Sequence, residues 1–208
     1  MAVKIDMEKA FDRMEWSFIL AILSKLGFRS TWINWIRICI TSSFFSILIN
    51  GSPFGLFNLE HGLRQGDPLS LFLFILGLEV LSRLLIHQES QVLLKGIKIA
   101  QNCSSISHLL FADDLILFAK AISSEANILK SILDQYCSWS GQAINISKSS
   151  IHFSKNTASS TINSISSILP YKRALISSKY LGLPHFFGKS KSVAFKDILE
   201  KVYGKIKG

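Results

Sequence analysis

Two adjacent aspartates, Asp113 and Asp114, stand inside an otherwise apolar stretch, HLLFADDLILFAK (His108 to Lys120). A buried carboxylate without a partner is costly, and two side by side also repel each other. One reading makes them the solvated tip of a loop between buried strands. The other is a divalent-cation site. Mg²⁺ takes hard oxygen ligands and is usually held by one or two carboxylates plus substrate phosphates, and its charge makes clustered acids tolerable. Such a site needs a further carboxylate from elsewhere in the fold. Asp6, a lone acid in the apolar stretch AVKIDM (Ala2 to Met7), is the candidate; a surface position on an edge strand is its alternative. Asp12 and Glu15 have a plainer reading, as negative charge for the first turn of the next helix. In HGLRQGDP, Gly66 lets backbone approach a ligand, with Arg64 and Gln65 as polar groups beside it.

For Asp6 to meet the Asp113-Asp114 pair, two strands must be neighbours and end at the same place. AVKIDM reads as one strand, with apolar residues alternating around Lys4 and Asp6. The other belongs to a hairpin of Ser107 to Ala112 and Leu115 to Ala119, turning at Asp113-Asp114. That turn lacks the glycine that two-residue hairpin loops favour, so turn geometry alone does not explain the acids. A second hairpin is expected where FFSILING meets SPFGLFNLE, turning at Asn50-Gly51. Amphipathic helices are expected over Trp16 to Leu26 and Thr31 to Ile40, and Pro68 suits the first position of a long apolar helix to Ile86. A helix from about Ser124 to Gly141, a strand at Ile151 to Ser154 and a weak helix within Asn156 to Ser167 follow. A strand at KYLGL and a last helix from about Ser192 complete the chain. Hairpins interspersed with helices favour an α+β fold, with helices packed on one face of a mainly antiparallel sheet.

Charge is unevenly placed. Met1 to Ser147 holds 12 Lys+Arg against 12 Asp+Glu, whereas Lys148 to Gly208 holds 11 against 2 and so carries the whole net charge of +9. Basic residues spread through apolar, structured sequence point to a polyanion, most simply nucleic acid, with a solvated basic face or a membrane surface as the alternatives. The apolar run Pro68 to Ile86 contains Glu79 and Arg83, each costly in lipid, so it reads as a buried helix and no membrane partner is expected. Cys39, Cys103 and Cys137 have no paired spacing, which argues against a disulfide framework or zinc site. The N-terminus has no apolar signal segment, so the expected location is intracellular, nucleus and cytoplasm both open.

Five segments in order resemble the reverse transcriptase of non-LTR (LINE-type) retrotransposons, especially plant ones. KIDMEKAFDRMEW is similar to motif A, GLRQGDPLSLFLFILGLEVLS to motif B and HLLFADDLILFAK to motif C. GQAINISKSSIHFSKN is similar to motif D, and KYLGLPHFFGKSK to the Tyr-Leu-Gly segment after it. The resemblance implies a polymerase palm over 1–185 and the start of a basic helical thumb or connection over 186–208. It implies an RNA-directed DNA polymerase in which Asp6, Asp113 and Asp114 hold two Mg²⁺ ions for nucleotidyl transfer to a primer 3′-hydroxyl. RNA template, DNA primer and dNTP are the implied partners, with the remainder of a retrotransposon polyprotein. Phe11 would exclude a ribose 2′-hydroxyl, Arg64, Gln65 and Gly66 would line the nucleotide and template pocket, and Lys148 would face the pyrophosphate. Tyr180, Leu181, Gly182, Lys189 and Lys191 would contact nucleic acid. Two departures stand out. Leu71 replaces the usual Pro after PLS, and motif A begins the chain, so fingers motifs are expected to be missing upstream. The resulting alternative is an inactive retroelement remnant that keeps only nucleic-acid binding.

Overall fold

The computed structural model describes residues 1–174, 179–180, 183–184 and 196–207, in two compact units, Met1–Lys172 and Arg173–Gly208. The first unit opens with β1 (Ala2–Asp6), followed by α1 (Trp16–Lys25) and α2 (Ser30–Thr41). A hairpin of β2 (Phe44–Ile49) and β3 (Ser52–Asn58) precedes the long α3 (Pro68–Ser90). Then come β4 (His108–Phe111), β5 (Asp114–Phe118), α4 (Ser123–Ser140), β6 (Ser150–His152), α5 (Ser159–Ile168) and β7 (Lys172–Arg173). The main sheet has five strands in the order β4-β5-β1-β6-β7, with β1 antiparallel to both β5 and β6 and β4 antiparallel to β5. The α+β expectation is met.

Alternation decides which sheet face is covered. Val3 and Ile5 on β1, Leu115 and Leu117 on β5 and Ile151 on β6 are buried in one core with Leu23 of α1, Phe74, Leu81 and Leu85 of α3, and Leu129 and Leu133 of α4. Lys4 and Asp6 belong to the opposite face, with Asp114 across from Asp6. α3 begins where expected: Asp67 accepts a hydrogen bond from the Leu69 N–H (2.9 Å) and Pro68 occupies the first turn. Leu73, Phe74, Leu78, Leu81 and Leu85 give it a buried stripe, so it packs as a core helix. Its outer side nevertheless exposes Phe72 and Ile75, and by length and composition it is the one helix among the described residues able to cross a membrane.

The Asn50-Gly51 hairpin forms as the dipeptide demands, with both residues at positive φ (49° and 83°) and Ile49 opposite Ser52. Its strands are apolar yet exposed along almost their whole length. The first two helices, the 123–140 helix and the 159–168 helix lie within a residue or two of expectation at most ends. In the second unit, β8 (Lys179–Tyr180) pairs antiparallel with β9 (Leu183–Pro184), and α6 (Lys196–Lys207) follows. Of the strand expected over KYLGL, Lys179–Tyr180 and Leu183 are in paired strands, with Tyr180 opposite Leu183, and Leu181 and Gly182 lie outside the described residues. Residues 191–195, where the last helix was expected to start, lie outside the described residues. On α6, Leu199, Val202, Tyr203 and Ile206 are exposed at helical spacing.

Candidate active site

Asp6, the last residue of β1, is the cross-strand partner of Asp114, the first residue of β5. Opposed residues of an antiparallel pair share a face, so the two carboxylates leave the sheet on the same side. Both are half-buried, whereas Asp113 is exposed. Phe111 pairs with Asp114, which makes Ala112-Asp113 the two-residue loop. The expected turn at Asp113-Asp114 is thus corrected by one position. Ala112 takes the positive φ (49°) that a tight hairpin needs at its first loop residue, freeing Asp114 to enter the ladder opposite Asp6. A non-glycine residue there costs roughly 1–2 kcal/mol, which the ladders on both sides must offset.

Asp6 and Asp114 thus share one face of the sheet. Among the described residues, no three His, Cys, Asp or Glu side chains are close enough to hold a metal ion. Lys4 Nζ lies 3.7 Å from Asp114 Oδ1, so an ammonium supplies positive charge beside the acidic pair. Farther along the same hairpin, His108 ties β4 to α3. Its Nε2 shares a hydrogen bond with Ser82 Oγ (2.9 Å), and its Nδ1 with Ser107 Oγ (3.0 Å). Burial lowers the His108 pKa, opposed by the nearby Glu89 and Glu79. The Cys137 thiol is pushed up to about 11, chiefly by burial and further by Asp134, against Arg13. It is a protonated structural thiol at neutral pH.

After Asp6 the chain leaves the sheet, yet the loop to Glu15 is held on both flanks. Along one flank runs the segment 140–149. The Asp6 N–H donates to Ser149 Oγ (3.1 Å), the Asn145 N–H to the Asp6 carbonyl (2.9 Å), and the Glu8 N–H to the Ala143 carbonyl (2.8 Å). Gln142 Nε2 donates to the Ala10 carbonyl (2.7 Å), Arg13 Nε to the Gly141 carbonyl (3.1 Å), and the Glu15 N–H to the Ser140 carbonyl (3.0 Å). On the other flank, the Leu63 N–H donates to the Phe11 carbonyl (2.8 Å), the Gly62 N–H to the Met14 carbonyl (2.9 Å), and Trp16 Nε1 to the Gly62 carbonyl (2.6 Å). Both flanks approach through a glycine at positive φ. A Cβ would stand 2.6 Å from the Asp12 carbonyl oxygen at Gly62, and 2.6 Å from that of Arg13 at Gly141. Only glycine permits that approach.

Residues 1–185 match the family described as reverse transcriptase (RNA-dependent DNA polymerase). The chain belongs to the reverse transcriptase family. An uncharacterized mitochondrial protein of Arabidopsis thaliana is 55% identical over 67 residues, covering 32% of this chain and 55% of its own length. A Pol polyprotein of the type-1 retrotransposable element R2 from Popillia japonica is 33% identical over 116 residues, 55% of this chain and 18% of the polyprotein. A 149 kDa protein of transposon TX1 from Xenopus laevis is 28% identical over 148 residues, 71% of this chain and 11% of that protein. These relatives place the domain with those of non-LTR retrotransposons. The chain spans about half the length of the Arabidopsis protein and under a fifth of each element protein. Among solved structures, telomerase of Candida albicans, in complex with a TWJ fragment of telomeric RNA, has a TM-score of 0.58 at 15% identity. It covers 88% of this chain and 28% of its own. Telomerase of Candida tropicalis, in a like complex, has a TM-score of 0.54 at 13% identity, covering 96% and 33%. At such identity the likeness shows the fold alone.

Within this reverse transcriptase domain, Phe11 is half-buried and its ring stacks on Phe74 of α3 (centroids 4.5 Å apart, planes 17° apart). Gln65 Nε2 reaches Asp12 Oδ1 (3.5 Å), so motif B touches the motif A loop directly. Asp12 thus faces across to motif B and lies outside the first turn of α1, whose N-cap is Glu15. Arg64, Gln65 and Gly66 are exposed, Gly66 at φ 85°. Lys148 is exposed in a turn whose N–H donates to the Asn145 carbonyl (3.2 Å). Tyr180 lies in β8, while Leu181, Gly182, Lys189 and Lys191 are outside the described residues. Ser149, Gln142, Gly62 and Gly141 were missed from sequence as parts of the site. A helix end at Gly141 was readable, but nothing local marks Ser149 or Gln142.

Proposed function

We propose that the chain is the palm of an RNA-directed DNA polymerase, over 1–185, with 186–208 beginning a thumb or connection. Asp6 and Asp114, opposed across β1 and β5 with Asp113 in the adjoining turn, are the observation that carries this reading. The donors are hard carboxylate oxygens on one sheet face, a set suited to Mg²⁺. Side-chain movements would be needed to close it around an ion, with Lys4 giving way at Asp114. Two such ions, when bound, supply activation of a primer 3′-hydroxyl and neutralisation of the departing pyrophosphate. The chain's own residues do the positioning. Phe11, braced on Phe74, stands beneath the sugar and rejects a ribose 2′-hydroxyl. Arg64, Gln65 and Gly66 border the dNTP and template, Lys148 offers charge to the pyrophosphate, and the basic segment from Lys148 onward, with Tyr180 to Gly182, Lys189 and Lys191, tracks the nucleic-acid backbone. Primer extension on an RNA template with Mg²⁺ tests this. Product is expected from the wild-type chain and not from Asp113→Asn or Asp114→Asn; equal product from all three removes catalysis from these residues.

A second reading is a nucleic-acid-binding remnant without chemistry. The Lys4 ammonium, 3.7 Å from Asp114 Oδ1, favours it. It expects salt-sensitive RNA or DNA binding, with no extension and no effect of either Asp→Asn change on affinity.

A further inference from the structure

We infer that Ser149 is a positioning residue for Asp6: its hydroxyl replaces a missing ladder partner and fixes the strand end that presents the carboxylate. The inference rests on the reading of Asp6 as a cation ligand. The β1–β6 ladder pairs Ala2 with His152, Val3 with Ile151 and Lys4 with Ser150. Continued in register, it would set residue 148 opposite Asp6. The ladder stops instead. The Asp6 N–H turns to Ser149 Oγ (3.1 Å), and its carbonyl accepts from the Asn145 N–H (2.9 Å). Residues 146–148 are thereby left out of the pairing and close a turn on the Asn145 carbonyl, which accepts from the N–H groups of Lys148 (3.2 Å) and Ser149 (2.9 Å).

One buried hydroxyl, on a residue 1% exposed, therefore does two things. It satisfies a backbone N–H that would otherwise lose its partner where the β1–β6 ladder ends. It also lets the segment carrying Lys148 form an exposed turn next to the Asp6 strand end, where a ladder would have absorbed it. On its other side Asp6 is held in register with Asp114. The strand end is thus fixed from both neighbours, by the β5 ladder on one side and by the Ser149 hydroxyl together with the Asn145 N–H on the other. Outer partners that orient a ligand matter because the ligand oxygen must be held in place before the cation arrives.

The test is Mn²⁺ binding, followed by electron paramagnetic resonance of the free ion, to the whole chain and its variants. Wild type is expected to bind and Asp6→Asn to lose that binding. Ser149→Ala is expected to weaken it by about 10-fold. Ser149→Cys, with only a weak sulfur acceptor, is expected to do the same and serves if the alanine variant does not fold. Ser149→Thr keeps the oxygen and should restore wild-type affinity, which a purely space-filling role does not predict. Amide hydrogen exchange at Asp6 should quicken in the Ala and Cys variants and not in Thr. If Ala and Cys bind Mn²⁺ as wild type does while Asp6→Asn does not, or if Thr weakens binding as much as they do, the role of Ser149 is overturned and the cation site stands. If wild type fails to bind, or Asp6→Asn binds equally well, the reading of Asp6 falls and this inference with it.

Discussion

The β2–β3 hairpin closes through Asn50-Gly51 and its own ladder, with nearly every side chain exposed. The loop from Met7 to Glu15 has no continuous ladder, yet residues 62–65 and 140–149 hold it through hydrogen bonds that span much of the chain. Local chemistry is enough to shape the first and does nothing to anchor it. Distant partners shape and anchor the second, and its ends carry Asp6 and the entry to α1. Accurate placement of reactive groups needs that second kind of support.

The largest expected contrast comes from the core beneath the loop. Phe74→Ala removes a fully buried ring that braces Phe11 and should cost about 3–5 kcal/mol in urea unfolding. A change under about 1 kcal/mol would mean that the loop does not depend on the core. Next are two glycines with similar φ. At Gly51 (φ 83°) a Cβ meets nothing within 4 Å, so Gly51→Ala should cost about 1–2 kcal/mol from the backbone alone. At Gly141 (φ 74°) it would also strike the Arg13 carbonyl, so Gly141→Ala should cost about 1–3 kcal/mol more. Equal melting temperatures for the two variants would erase the difference between the regions.

A smaller effect is expected from pH. His108 has a lowered pKa in the folded state because of burial, so the unfolded chain binds the proton first as pH falls. Its contribution is intact above pH 6.5 and is lost as pH drops through 6.5 toward the lower folded value. Thermal melts should show that loss, and His108→Gln should flatten it; an unchanged slope would remove His108 from the account. The smallest effect belongs to the hairpin. Phe54 is 70% exposed, and Phe54→Ser should stay within about 0.5 kcal/mol of wild type. A loss of about 2 kcal/mol would show the hairpin to be packed against something in solution.

What could be read from the sequence follows the same division. The Asn50-Gly51 turn, the Asp67-Pro68 helix start and the Gly141 helix end each depend on a few adjacent residues and lie where expected. The Asp113-Asp114 turn was misplaced by one because Ala112, a residue with no turn preference, accepts the positive φ. That Asp6 meets the acidic turn could be read in outline, but the sequence points to Asp113 as its partner, whereas the register sets Asp114, the first residue of β5, opposite it. The bond of Asp6 to Ser149, 143 positions away, leaves no local mark. Exposure of the apolar β2–β3 strands was equally invisible, because burial is set by what packs on them and not by their own composition.

If Asp6 and Asp114 are cation ligands as proposed, their opposition also makes correct strand pairing an all-or-none matter for chemistry. A slip of one position between β1 and β5 would keep a similar number of backbone bonds while sending one acid through to the far side of the sheet. Circular dichroism would count such molecules as intact, yet they would be inert. Specific activity per folded molecule would then measure the fidelity of that single pairing, and a heterogeneous preparation would betray itself by activity that lags behind its secondary structure.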